Sequence, residues 1–259
     1  MAGSQSGGAR EVIVRRTVAD ATDAAARAFE KIVRESLAHK DVCHVALAGG
    51  TTPYLLYKEL ASKAATSDLP WGKVEVYFGD ERDVPLDDVE SNYNMAMRTL
   101  LDNVPVQPSR VHPMRGDTPD LQSAAAEYER TIRQRVPAGE GGIPALDLIL
   151  LGMGADGHTA SLFPGTQSLE EHNRLVMAYP VPVLGRERLT FTLRLINAAR
   201  NVLFLVTGED KADAVAALLA NGHRMGGRIP AARVAPTAGR LTVVLDQAAA
   251  RLTALEAQP

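Results

Sequence analysis

The feature that most constrains this chain is a set of four nearly continuous apolar runs, each ending in a loop of glycine and polar residues. The runs are Val42–Ala48, Val74–Gly79, Leu146–Leu151 and Val202–Thr207. They lack the in-and-out alternation of a half-exposed sheet, so they need cover on both faces, as central strands of a parallel sheet flanked by helices have. Longer Ala- and Leu-rich stretches of helical period lie between them, and Glu11–Val14 adds a first strand. Thr17 or Asp20 caps a helix that carries Ala21, Ala24, Ala25, Ala28, Phe29, Ile32, Val33 and Leu37 on one broad face. This alternation predicts an α/β layered fold. Ligands of open α/β sheets sit outside the carboxyl ends of the strands, so the four loops are expected to converge on one site.

Composition narrows the function classes. With 259 residues, 46% of them hydrophobic, the chain can bury a large core. We expect a single α/β domain over residues 11–256, after a Gly/Ser-rich, disordered start at residues 1–10. The polar segment Pro137–Pro144 reads as a surface loop rather than a linker, because strands of similar character flank it. Basic residues number 28 and acidic residues 31, a formal charge of −3. No field of the kind that holds nucleic acid results, so any phosphate must be met locally. The one cysteine, Cys43, excludes an internal disulfide and a cysteine zinc cluster, and its apolar surroundings mark it as a buried bystander. No secretion signal or bilayer-length apolar stretch is present, so a cytoplasmic monomer with no membrane partner is expected.

Each loop has a chemical and a bland reading. Gly49-Gly50-Thr51-Thr52-Pro53 joins a strand to a helix starting near Pro53. Such a turn either offers backbone N–H groups and a helix N-terminus to a phosphate or is a tight turn with a threonine cap. Asp80-Glu81-Arg82-Asp83 resembles a solvated charge run, but at the end of a buried strand Arg82 can offer its planar fork to a phosphate or an oxyanion. Ser91-Asn92 reads as a helix cap.

Gly152, Gly154 and Gly157 form a GxGxxG pattern in outline. Pro164-Gly165 leaves no room for the helix that pattern requires, and no acidic residue ends the next strand, Leu175–Tyr179, so a dinucleotide cofactor is not expected. What remains is His158, set by glycines at the mouth of a strand, where it can take a proton from an attacking water or merely brace the turn. Ser161 lacks the nucleophile-elbow pattern of a serine triad. The other histidines, at 39, 44, 112, 172 and 223, show no paired metal spacing, so no metal site is expected. Lys211 heads the helix through Ala212, Val215, Leu218 and Leu219, where a cation opposes the helix dipole unless an anion is near. Arg186 and Arg188, before an alternating strand Leu189–Leu193, are further candidates for phosphate contact.

Taken together, these loops resemble the 6-phosphogluconolactonases. The resemblance rests most on Gly152-Met153-Gly154-Ala155-Asp156-Gly157-His158-Thr159-Ala160-Ser161-Leu162-Phe163-Pro164-Gly165, then on Gly79-Asp80-Glu81-Arg82 with Ser91-Asn92, the Gly-Gly-Thr turn, and the tail Leu245-Asp246-Gln247-Ala248-Ala249. It spans about Val12 to Leu252. It implies a Rossmann-like three-layer fold of the deaminase/lactonase type, with a mostly parallel central sheet. The implied activity is hydrolysis of 6-phosphoglucono-δ-lactone in the pentose phosphate pathway, without metal or cofactor. The implied base is His158, with Arg82 as the second catalytic residue. Gly49, Gly50, Thr51 and Thr52 of the turn, with Lys211, are the implied phosphate contacts, and from their places beside these loops Asp80 and Arg188 are expected to contact the substrate as well. Ala48 departs from the serine many relatives carry. The related glucosamine-6-phosphate deaminases supply a carboxylate soon after their histidine. Thr159–Pro164 carries none, which favours the lactonase. A non-catalytic sugar-phosphate sensor is the third possibility, although no added DNA-binding segment is evident.

Overall fold

The computed structural model describes residues 10–220 and 229–258. The expected disorder of residues 1–10 falls, Arg10 excepted, outside the described residues, as does His223. In chain order the strands are β1 (Arg10–Arg15), β2 (Cys43–Leu47), β3 (Val74–Phe78), β4 (Asp80–Arg82), β5 (Leu148–Leu151), β6 (Val176–Val181), β7 (Arg186–Phe191), β8 (Asn201–Val206) and β9 (Arg240–Asp246). The α-helices are α1 (Val18–Leu37), α2 (Thr51–Lys63), α3 (Asn92–Thr99), α4 (Leu121–Arg135), α5 (Leu193–Ile196), α6 (Ala212–Leu219) and α7 (Gln247–Ala250).

Six strands form one parallel sheet in the order β1-β9-β8-β5-β2-β3, and all four apolar runs belong to it. From β2 the chain first adds β3 on one side, then β5, β8 and β9 on the other. The order therefore reverses between β2 and β5, which places a topological switch point there. α1 forms because Thr17 accepts a hydrogen bond from the Asp20 amide at 3.1 Å, and because Ala21, Ala25, Ala26, Phe29 and Val33 present one buried face. Phe29 stacks on Trp71 with ring centroids 5.7 Å apart. Burying a side chain the size of Phe29 contributes roughly 1.5–3 kcal/mol. α1 packs on α2 and across β8 and β9. Among the described residues no helix is long and apolar enough to cross a membrane.

Three local expectations are corrected. Asp80-Glu81-Arg82 is not a loop but strand β4, which pairs antiparallel with β7 in a small sheet of order β4-β7-β6. Hydrogen bonding to β7 satisfies its backbone, so the charged residues are held in a defined register, with Asp80 opposite Thr190 and Arg82 opposite Arg188. The predicted strand Leu189–Leu193 starts earlier and stops at Phe191, since Leu193 opens α5. Helix α2 begins at Thr51, so Pro53 is its third residue rather than its first, still within the turn whose N–H groups have no helical partner.

The amino-terminal ends of the central strands carry a closed polar network. Asp147, 1% exposed, accepts the His44 amide at 3.0 Å and forms ion pairs with Lys40 and, at 3.4 Å, Arg200. Glu75 accepts from the Tyr77 hydroxyl at 3.2 Å, contacts His112 Nε2 at 2.7 Å and pairs with Arg110 at 3.4 Å. Burial lowers the His44 pKa below its ordinary value. Cys43 is buried beside this network, and burial pushes its thiol up to about 12, which fits the bystander reading.

Candidate active site

At the switch point, a cleft of about 230 Å³ opens between the loops that follow β2 and β5. It is lined by Gly49–Pro53, Asp80, Arg82, Gly152–Gly154, His158–Ala160 and Lys211. Eight of the nine expected site residues therefore meet in one place. The ninth, Arg188, does not line the cleft. It lies opposite Arg82 in the adjacent strand, donating to the Glu187 carbonyl at 2.8 Å and to Asp83 at 3.4 Å. Burial first, and then the neighbouring Arg82, lower its pKa. Arg186 is held further out by Asp83 at 3.1 Å and Glu90 at 2.7 Å.

His158 is held on three sides. Its Nδ1 lies 2.6 Å from Asp156 Oδ1, and its ring stacks on Phe163 with centroids 4.3 Å apart. Its carbonyl accepts the Gly154 amide at 2.9 Å. A carboxylate can only accept, so Nδ1 carries the proton and Nε2 is the basic nitrogen. Gly154 is required by close approach: a Cβ there would fall 2.2 Å from His158 Nδ1 and 2.6 Å from Asp156 Oδ1. No helix follows the loop for Asp156 to cap. Thr159 and Leu162 pair across a tight turn whose first central residue, Ala160, sits at φ +46°. This is a left-handed conformation that costs an L-residue roughly 1–2 kcal/mol. The missing helix also removes the geometry a dinucleotide fingerprint needs.

The β4 run divides its charges by position. Glu81, fully buried, accepts from Ser91 Oγ and from the amides of Arg82, Asn92 and Tyr93 at 2.8–3.0 Å, so it caps α3 from outside that helix. Burial raises its pKa, and the amide hydrogen bonds oppose the rise. Asp80 accepts from Ser161 Oγ at 2.7 Å and from Asn92 Nδ2 at 3.3 Å. Ser161 thus turns to Asp80 rather than to His158, which leaves a serine triad without its hydrogen bond. As an acceptor-only group, Asp80 suits a sugar hydroxyl better than a phosphate. Arg82 donates to the Glu90 carbonyl and keeps one side on the cleft. Across from it, Tyr57 brackets Ala48, donating to its carbonyl at 2.7 Å and accepting its amide at 2.9 Å. The Gly-Gly-Thr turn therefore stays anchored although position 48 has no hydroxyl. Lys211 rests on Asp210 at 2.9 Å. Glu81 and Tyr57 were missed as site-supporting residues. Asp156, two residues from His158, is a candidate from sequence for orienting the ring, with helix capping as its alternative.

Among the described residues no group of three His, Cys, Asp or Glu side chains is poised to hold a metal ion. A larger cavity, about 640 Å³, lies at the other end of the sheet beside Ala145, Arg200 and Ala238, and holds none of the expected site residues.

An imidazole–carboxylate pair, a glycine–threonine turn and two cations thus meet at the switch point of a parallel sheet, the place where α/β enzymes bind their ligands. The chain belongs to the glucosamine-6-phosphate isomerases/6-phosphogluconolactonase family, whose profile matches residues 16–243. It is 41% identical over 84% of its length to a Synechocystis 6-phosphogluconolactonase, of which 87% is covered. It is 34% identical over 88% of its length to the Haemophilus influenzae 6-phosphogluconolactonase, with 96% of that protein covered. The solved 6-phosphogluconolactonase from Trypanosoma brucei superposes with a TM-score of 0.81 at 30% identity, covering 96% of this chain and all of the other. A monomeric glucosamine-6-phosphate deaminase, 24% identical, shares the fold with a TM-score of 0.79 over 94% of this chain and all of its own.

Proposed function

We propose that this chain is a 6-phosphogluconolactonase that hydrolyses 6-phospho-D-glucono-1,5-lactone to 6-phospho-D-gluconate by general-base catalysis without a metal. The observation that carries the mechanism is the fixed His158–Asp156 pair, at 2.6 Å, facing a cleft that also contains Arg82, Lys211 and the Gly49–Thr52 turn. The phosphate binds the turn amides at the N-terminus of α2 and Lys211, which leaves Asp210 for it. That anchoring places the lactone C1 beside His158 and removes much of the entropic cost of the encounter. Nε2 takes a proton from the water that attacks C1, and Asp156 stabilises the imidazolium. Arg82 meets the charge that develops on the carbonyl oxygen. The C1–O5 bond then breaks, and His158 returns the proton to the ring oxygen.

A positioned base is worth on the order of 10²–10⁴-fold, and one oxyanion donor on the order of 10²–10³-fold. A lactone is an activated ester, so these contributions suffice without a covalent nucleophile. All the groups named come from one chain, so a monomer suffices as well. Thr159–Pro164 carries no carboxylate where the deaminases supply theirs for ring opening, which supports the lactonase reading. The test is a pair of assays on the purified protein. Lactone hydrolysis above spontaneous opening, undiminished by EDTA, with no ammonia released from glucosamine 6-phosphate, is expected. Ammonia release without lactone hydrolysis would overturn the proposal.

A further inference from the structure

The tail motif Leu245–Ala249 lies outside the cleft, yet its aspartate reaches the loop that bears Lys211. Asp246, 3% exposed at the end of β9, accepts the Gly208 amide through Oδ1 at 3.0 Å and Oδ2 at 3.3 Å. The same Oδ1 accepts the Ala249 amide at 2.9 Å and so caps α7. Gly208 holds φ +103°, and a Cβ there would come within 2.8 Å of Asp210 Oδ1. The amide is therefore turned toward β9 by a conformation that only glycine adopts readily. The loop has two further ties: Thr207 Oγ1 meets Thr52 Oγ1 at 3.3 Å, and Arg251 pairs with Glu209 at 3.2 Å. Three residues on from Gly208, Lys211 closes a hydrogen-bonded turn onto the Gly208 carbonyl at 3.1 Å and enters the cleft.

We infer that Asp246 is a positioning residue for phosphate recognition: by fixing Gly208 it sets where Lys211 stands relative to the Gly49–Thr52 turn. The inference rests on the reading of Lys211 as a phosphate ligand. Capping of α7 alone would give Asp246 a purely structural role, and the two roles separate chemically. Serine at position 246 preserves the cap, since serine is among the best capping residues, but is too short to reach Gly208. Asparagine keeps the Gly208 and Ala249 bonds to Oδ1 and gives up only the longer contact of Oδ2 with Gly208.

The experiment compares kcat/KM for 6-phosphogluconolactone with that for unphosphorylated glucono-1,5-lactone in the full chain. Loss of one hydrogen bond's worth of placement predicts that Asp246→Ser lowers this ratio roughly fivefold, through KM for the phosphorylated lactone, while Asp246→Asn restores it. Asp246→Glu, which displaces the carboxylate by one methylene, makes the same prediction and serves if the serine variant does not fold. Equal losses on both lactones in Asp246→Ser or Asp246→Glu would overturn the inference and leave Asp246 a cap. Lys211→Ala separates the two readings. An unchanged ratio there removes the phosphate role of Lys211 and this inference with it. A ratio that collapses in Lys211→Ala but holds in Asp246→Ser removes the inference alone.

Discussion

The two ends of the central sheet are built from the same residue types and put them to opposite use. At the amino end, Asp147, Glu75, Lys40, Arg200, Arg110, His44 and His112 are tied to one another, and the carboxylates are almost wholly buried. At the carboxyl end, His158 leans on Asp156 and Phe163, Arg82 on the Glu90 carbonyl and Lys211 on Asp210, and each keeps another side on the open cleft. The larger cavity is at the amino end, the smaller at the chemistry. What marks the site is therefore incomplete pairing at a topological switch point, and volume is a poor guide to it.

The contrast predicts that substitutions at one end change rate and those at the other change stability. His158→Ala should lower kcat on the order of 10²–10⁴-fold while the melting temperature stays near wild type. A matching fall in melting temperature would mean that the ring is chiefly a brace. Asp147→Ala should do the reverse, costing about 1–3 kcal/mol, chiefly by leaving the buried His44 amide without its acceptor. Chemical denaturation measures that loss, and kcat/KM measured well below the melting point should hold.

A smaller effect concerns acid. Burial lowers the His44 pKa, so the folded state resists protonation there. As pH falls below about 6.5 the unfolded chain takes up this proton first, and stability is lost until the folded pKa is reached. His44→Gln should flatten the fall in melting temperature as pH drops below about 6.5, and an unchanged slope would exclude His44 as a source. The smallest effect expected is at Ala160. Replacement by glycine should stabilise by about 0.5–1 kcal/mol, relieving its left-handed backbone less glycine's own entropic cost. A loss of stability would show that the Ala160 methyl contributes more by packing than its backbone costs.

Legibility in the sequence follows from the range of each interaction. The strands could be read because burial on both faces writes itself into contiguous residues, and the cleft followed from where those strands end. Asp156 was only half legible, since spacing alone does not say that two residues in a loop face each other. Glu81 looked like part of a solvated run because its partners, the amides of Asn92 and Tyr93, are ten or more residues away. Arg188 was legible only as a cation before an alternating strand, and it takes the pairing of β4 with β7 to set it opposite Arg82. The amino-end network left only a faint trace, single polar residues such as His44 and Glu75 inside apolar strands.

The central claim, that phosphate and lactone are read by the carboxyl-end cleft, is tested most directly by a crystal structure with 6-phosphogluconate bound. The account predicts the phosphate on the Gly49–Thr52 amides and Lys211, with the C1 carboxylate within hydrogen-bond distance of His158 Nε2 and Arg82. A phosphate seated on Arg186 and Arg188, or a ligand in the cavity beside Arg200, would contradict it.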